Sequence, residues 1–155
     1  MTEIASADQP VFTIEKIYVK DLSLEVPNAP QIFLSRDNPQ VSVQIRTDAE
    51  CIENGVYEVK LTITVNASLS ENRTFFLVEV AQAGIFRIQN APEEDLDLVL
   101  NIGCPTIIFP YAREAVSDAV IRAGFPPVLL NPVNFERLYE QSRQNAGVNP
   151  DAPVQ

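Results

Sequence analysis

Tyr57-Glu58-Val59-Lys60-Leu61-Thr62-Ile63-Thr64-Val65-Asn66 alternates apolar and polar side chains almost without a break. Successive side chains of an extended strand point to opposite faces, so this stretch reads as a β-strand with one dry and one wet face. On its N-terminal side, Asn54-Gly55 supplies a hairpin turn. Before that turn, Val41, Val43 and Ile45 alternate with Ser42, Gln44 and Arg46, a second strand of the same kind. On the C-terminal side, Ser70-Glu71-Asn72 makes another turn, and Thr74 to Gln82 reads as a further strand. There Phe75, Leu77 and Glu79 are expected to face one way, and Phe76, Val78, Val80 and Gln82 the other. Apolar residues on both faces imply that both are at least partly covered. Farther out, β-formers dominate from Val11 to Val26: Phe12 and Ile14 share a face, and Leu22, Leu24 and Val26 resume the alternation after Tyr18. This is a long strand, bent near Lys20-Asp21. Pro27-Asn28-Ala29-Pro30 ends it, because proline cannot donate to a β-ladder.

After Ile88 the period changes. Pro92-Glu93-Glu94 places a proline in a first helical turn and acids at the positive end of the helix dipole. Leu96, Val99, Leu100 and Gly103 then recur at helical spacing, and Cys104-Pro105 marks a kink or a fresh start. A second helical stretch runs to Ala123, bent by Pro110 unless that proline lies in a first turn, and followed by Gly124 as the residue that ends it. Phe125 to Val133 holds three prolines and is not helical. Asn134 caps a last helix with Phe135, Leu138 and Tyr139 on its apolar stripe. The fold class expected is α+β: a four-stranded antiparallel sheet followed by helices packed on one face. Residues 1–10 read as a disordered N-terminal tail, 11–145 as a single domain, and 146–155 as a disordered C-terminal tail.

Composition removes several functions. The chain has 155 residues with 46% hydrophobic and 21% charged side chains, enough for one core. Acids outnumber bases 21 to 11, a net charge of −10, so nucleic acid and anionic membranes are not expected partners, whereas a basic protein is. Histidine is absent, which excludes Ser-His-Asp and Cys-His catalysis and histidine-ligated metals. Cys51 and Cys104 are far apart and imply neither a zinc site nor a disulfide framework. No nucleotide-binding glycine loop occurs, and no apolar run approaches the ~20 residues needed to cross a bilayer. The acids Glu93, Glu94, Asp95 and Asp97 are better explained by a helix N-terminus than by a glycosidase pair or a metal. The expectation is a cytoplasmic protein that is not an enzyme and uses no cofactor or metal. What stands out is grease outside regular elements: Phe33-Leu34, Ile107-Ile108-Phe109-Pro110-Tyr111 and Phe125-Pro126-Pro127-Val128-Leu129-Leu130. Some of it is expected to line a groove open to water.

Three segments carry a resemblance: Ala83-Gly84-Ile85-Phe86, Cys104-Pro105-Thr106-Ile107-Ile108-Phe109-Pro110-Tyr111-Ala112-Arg113-Glu114, and Phe125-Pro126-Pro127-Val128-Leu129-Leu130-Asn131-Pro132-Val133-Asn134-Phe135. With Lys20-Asp21 and Pro27-Asn28-Ala29-Pro30, in this order and spacing over residues 11–145, the chain resembles the SecB protein-export chaperones. The resemblance implies a cytosolic, ATP-independent holdase that binds unfolded precursor proteins and delivers them to the SecA translocase motor. It implies a homotetramer built as a dimer of dimers, with no nucleic acid and no direct membrane binding. Position by position, it implies SecA binding at Asp21, Glu25, Leu77 and Glu79, and a client groove at Phe33, Val41, Val43, Phe135, Leu138 and Tyr139. Val78, Val80 and Gln82, on the opposite sheet face, are expected to pack subunits together. Family members often carry Trp where this chain has Asp37, a change in the groove's aromatic lining and not in the fold. Other classes weighed are an enzyme using the acidic cluster, a small-ligand module, and a SecB-like chaperone dedicated to a toxin–antitoxin pair.

Overall fold

The computed structural model describes residues 9–146, so most of each expected tail, residues 1–8 and 147–155, lies outside the described residues. Four strands, β1 (Val11–Glu25), β2 (Gln40–Glu53), β3 (Val56–Ser68) and β4 (Thr74–Gln89), form an antiparallel sheet in the order β1-β4-β3-β2. Three helices follow: α1 (Glu93–Leu98), α2 (Cys104–Arg122) and α3 (Phe135–Ala146). The α+β arrangement expected from the alternating and helical periods is therefore present.

Cross-strand pairing assigns the faces. Val78, Val80 and Gln82 of β4 pair with Val65, Ile63 and Leu61 of β3, and Leu24, Leu22 and Val19 of β1 lie on the same face. Onto this face α2 lays a stripe of Ile108, Ala112, Val116, Ala119 and Val120, which joins the sheet's buried valines, leucine and isoleucine in one core. The small alanines let the helix approach closely, and each fully buried branched side chain contributes on the order of 1.5–3 kcal/mol. This corrects the subunit-packing role expected for Val78, Val80 and Gln82. The two valines are 0% exposed and Gln82 3% within the single chain, so they have almost no surface left for a neighbour.

β1 keeps its apolar side chains on one face by slipping twice. Glu15 and Lys20 are extra residues in the ladder with β4, between Ile14 and Lys16 and between Val19 and Asp21. Each bulge shifts the alternation by one. Phe12 and Ile14, then Ile17 and Val19, then Leu22 and Leu24 thus all face the core side, and the second slip is the bend expected near Lys20-Asp21.

β4 runs to Gln89, seven residues beyond the expected end at Gln82. Ala83-Gly84 is poor in β-propensity, but its backbone pairs on both sides, Gly84 with Ile17 and with Val59. A Cβ at Gly84 would stand 2.7 Å from the fully buried Phe86 ring and 3.0 Å from the partly buried Ile17, so glycine is what fits there without a shift of the ring.

The helical backbone runs on through Cys104-Pro105: a π-helical stretch, Val99–Gly103, joins α1 to α2, with Leu98, Gly103 and Cys104 all in helical conformation, so the expected kink or fresh start is an irregularity within a continuous helix. Pro110 lies inside α2 on its exposed side, where loss of a backbone hydrogen bond costs least. Gly124 ends α2 as expected, at φ 97°, with its own N–H on the Ile121 carbonyl and the Phe125 N–H on the Val120 carbonyl. Asn134 caps α3 by accepting the Arg137 N–H at 3.0 Å. No helix among the described residues is long and apolar enough to cross a membrane.

Candidate functional site: an aromatic cavity and an acidic sheet face

Between the β1–β2 connection and the loop after α2 lies an open cavity of about 480 Å³. Its floor is aromatic. Phe33 stacks on Phe125 with ring centroids 5.1 Å apart, and Phe76 and Phe75 meet the same Phe125 ring at 5.1 and 6.1 Å. Phe33 is 47% exposed while Phe75 and Phe76 are buried, so the cavity presents one free ring on a fixed aromatic base. Val41, Pro39 and the Pro126-Pro127-Val128 run complete the apolar wall.

Local sequence explains how the rings converge. Asn28 Nδ2 donates to the Thr74 carbonyl at 3.0 Å, which ties the turn after β1 to the start of β4. A short 3-10 turn, Gln31–Leu34, buries Ile32 and lifts Phe33 outward. Gly124 brings the Phe125 loop within contact of the Phe33 ring, since a Cβ there would lie only 3.1 Å from it. Phe75 departs from the expectation that it shares a face with Leu77 and Glu79. It is the extra residue where Ala67 pairs with Phe76 and Ser68 with Thr74, and this bulge brings Phe75 beside Phe76 in the cavity. Four phenylalanines thus line a groove that has Asp37 rather than Trp at its rim.

Of the six expected groove residues, the structure puts Phe33 and Val41 in this cavity. Val43 follows Val41 on the same face of β2, 41% exposed, and Ile45 and Thr47 continue the row. At its far end Thr47 lines a small hollow of about 50 Å³ with Leu138 and Tyr139. From Val41 to Thr47 the strand spans ~20 Å at about 3.4 Å per residue. A row of partly apolar side chains therefore runs along β2 between the aromatic cavity and the hollow beside α3. Phe135 borders the same hollow but offers it almost no surface. It is 3% exposed and packed edge-on against Phe109, so it forms the base of the hollow and belongs mainly to the core. The Tyr139 hydroxyl donates to Asp97, which raises its pKa and ties α3 to α1. Phe75, Phe76 and Phe125 were not among the expected groove residues, although the proline-rich run beginning at Phe125 was the signal that pointed there.

Asp21, Glu25, Leu77 and Glu79 meet on the other face of the sheet. Asp21 pairs with Ala81, Ser23 with Glu79, and Glu25 with Leu77, so all four project from two adjacent strands on one side. The three acids are exposed. Thr64 of β3 donates to Glu79 Oε2 at 2.9 Å and orients that carboxylate. Farther along the same face, Glu58 accepts from Tyr18 and, at 2.8 Å, from Lys20, bridging over the buried Ala83. This pairing engages Lys20, the bulge residue next to Asp21, while Arg46 of β2, which lines a hollow with Glu79, lies 3.4 Å from Asp48.

Burial, reinforced by the Glu58 hydrogen bond, raises the Tyr18 hydroxyl from 10.0 to about 12, and the Lys20 and Tyr18 hydrogen bonds hold the Glu58 carboxyl below its usual value. A raised phenol stabilises the fold fully below about pH 10 and loses that contribution as pH climbs towards 12; a depressed carboxyl stabilises above the ordinary carboxylate range and loses it in acid. In an alkaline absorbance titration, the difference between the protein and its Tyr18→Phe variant is expected to show one phenol ionising near pH 12, and Glu58→Gln is expected to move it lower. An unmoved titration after Glu58→Gln would show that the pair does not set this pKa.

Comparisons with known proteins bear on the family and the fold. The family described as "Preprotein translocase subunit SecB" matches residues 5–146. The chain is 69% identical over 140 residues to the protein-export protein SecB of Aromatoleum aromaticum, covering 90% of this chain and 88% of that one. It is 62% identical to the protein of the same name from an Azoarcus species over the full length of both. Among solved structures, a SecB-like chaperone of Mycobacterium tuberculosis, in complex with a ChAD peptide from an antitoxin, superposes with a TM-score of 0.64 at 16% identity, over 79% of this chain and 90% of that one.

Proposed function

The chain belongs to the SecB family of protein-export chaperones, and from that premise we propose that it holds unfolded precursors in the aromatic cavity and docks on the SecA motor with its acidic sheet face. The observation that carries the client site is the half-exposed Phe33 ring over a buried aromatic base. Folded proteins have buried such rings and offer nothing to match, whereas an unfolded chain does. Each client side chain buried there gains on the order of 1.5–3 kcal/mol before ordering costs. Because only the unfolded client binds, its folding is disfavoured by mass action, and no nucleotide is required. The row of Val41, Val43, Ile45 and Thr47 offers a stretched polypeptide a path away from the cavity. The antitoxin-bound relative supports a peptide-binding role for this fold.

Asp21, Glu25 and Glu79, with Leu77 among them, suit a basic segment of SecA. Electrostatic docking of this kind weakens as salt rises. Assembly is assigned to β1 rather than to Val78 and Val80. Phe12, Ile14, Val19, Leu22 and Leu24 leave a row of half-exposed apolar side chains on an edge strand, and covering it with a second copy is the first step to a dimer of dimers. Export in the cytoplasm is favoured over a dedicated toxin–antitoxin role, since the export chaperones are 62–69% identical to this chain and the antitoxin-bound one 16%.

The purified protein, without ATP, is expected to slow the refolding of a denatured exported precursor at stoichiometric ratio. Phe33→Ser is expected to weaken that hold roughly tenfold while leaving thermal stability near wild type, since a half-exposed ring contributes about half of its full burial energy to the client. Unaltered refolding in the presence of the protein would end the holdase reading, and an undiminished hold by Phe33→Ser would move the client site elsewhere.

A further inference from the structure

Besides the Asn28 bond to the Thr74 carbonyl, the connection between β1 and β2 is fastened to the β3–β4 turn by Arg73. Arg73 Nη2 donates to Ser35 Oγ at 3.2 Å, and Nη1 lies 3.5 Å from Asp37 Oδ2. Ser35 Oγ also accepts the Asp37 backbone N–H at 3.3 Å, which folds this short segment around the guanidinium. Arg73 is itself held in place: its N–H donates to the Ser70 carbonyl at 3.1 Å, and its carbonyl accepts the Leu69 N–H at 3.0 Å. Both ends of the fastening lead into the cavity. Phe33 stands two residues before Ser35, Phe75 two residues after Arg73, and Ser35 and Asp37 line the mouth.

We infer that Arg73 is a positioning residue for client binding, a clasp that holds the segment carrying Phe33 in the place where its ring stacks on Phe125. The inference rests on the cavity being the client site. A wall already in place when the client arrives loses less conformational freedom on binding, so the clasp acts mainly on how long the client stays. The pair is about half exposed, with side chains 51% and 63% accessible, so it is weak and screened by salt. Its release loosens the cavity without removing a single aromatic contact. Client retention at this groove is therefore sensitive to ionic strength through a contact at the cavity's mouth.

The test follows dissociation of a fluorescent, reduced and carboxymethylated unfolded protein from wild type, Arg73→Gln, Asp37→Asn, the charge swap Asp37→Arg/Arg73→Asp, and Phe33→Ser. Arg73→Gln and Asp37→Asn are expected to speed dissociation about two- to fivefold at low salt. The gap to wild type should close near ~1 M salt, where the screening length falls to ~3 Å. The charge swap is expected to restore slow dissociation, which a general loosening of the fold would not do. Equal rates for wild type and Arg73→Gln at low salt, with Phe33→Ser still impaired, would overturn the clasp and keep the cavity. Phe33→Ser releasing the client no faster than wild type would overturn the cavity, and the clasp with it.

Discussion

Replacing Asp21, Glu25 and Glu79 together by lysine is expected to lower the affinity for SecA by at least about a hundredfold, with binding of an unfolded client unchanged. The reason lies in the register. Asp21 and Glu25 project beside Ala81 and Leu77, and Glu79 beside Ser23, so three exposed carboxylates share one small area of sheet. The β3 residues paired beside them are the uncharged Thr62, Thr64 and Asn66, and the nearby Arg46 is engaged by Asp48. Reversing all three signs exchanges attraction for like-charge repulsion, which costs several kcal/mol, and about 2.7 kcal/mol is already a hundredfold. The client cavity lies on the other side of the subunit and loses no contact. Calorimetric titration of SecA at about 0.15 M salt, beside a client-binding assay, reads both effects. Undiminished SecA affinity in the triple variant would remove the docking assignment and leave the chaperone reading standing.

Val80→Asp is expected to abolish folding of the subunit, not merely its assembly. Val80 is 0% exposed and shares the core with α2. An aspartate there has no partner and no water, and the cost of an unpaired buried charge consumes much of the 5–15 kcal/mol by which a domain is ordinarily stable. Val80→Ala, which removes two methyl groups and buries no charge, is expected to fold with a lower melting temperature. Circular dichroism and thermal melts decide the matter. A Val80→Asp protein with wild-type secondary structure and melting temperature, but a smaller oligomer, would return Val80 to the subunit interface and refute its place under α2.

Period-2 alternation from Tyr57 to Asn66, turn chemistry at Asn54-Gly55 and the switch to helical spacing after Ile88 were enough for four antiparallel strands followed by helices. Local signals of this kind are legible because each concerns a backbone preference within a few residues. Gly124 and Asn134 ended and began helices as their chemistry requires. The far end of β4 was not legible: Ala83-Gly84 is weakly β-forming and is held extended by partners about twenty-five residues away in β3 and farther still in β1. The double slip in β1 was visible only in part, as a bend, because a bulge is defined by the strand it pairs with.

Residue types, their order and their charge determined on their own that this chain is an acidic, histidine-free α+β protein with Leu77 and Glu79 on one face of a strand, and its motifs carried the resemblance to the SecB family. Only the tertiary structure decided which apolar residues are available to a client. Phe135, Val78 and Val80 are withdrawn into the core, whereas Phe33 remains open to solvent over Phe75, Phe76 and Phe125. Alternation tells which face a side chain takes, but not whether a helix lies on that face or stops short of it. Which greasy face stays open depends on how far α2 extends over the sheet and on the one-residue bulge at Phe75, both set by contacts between segments distant in the chain.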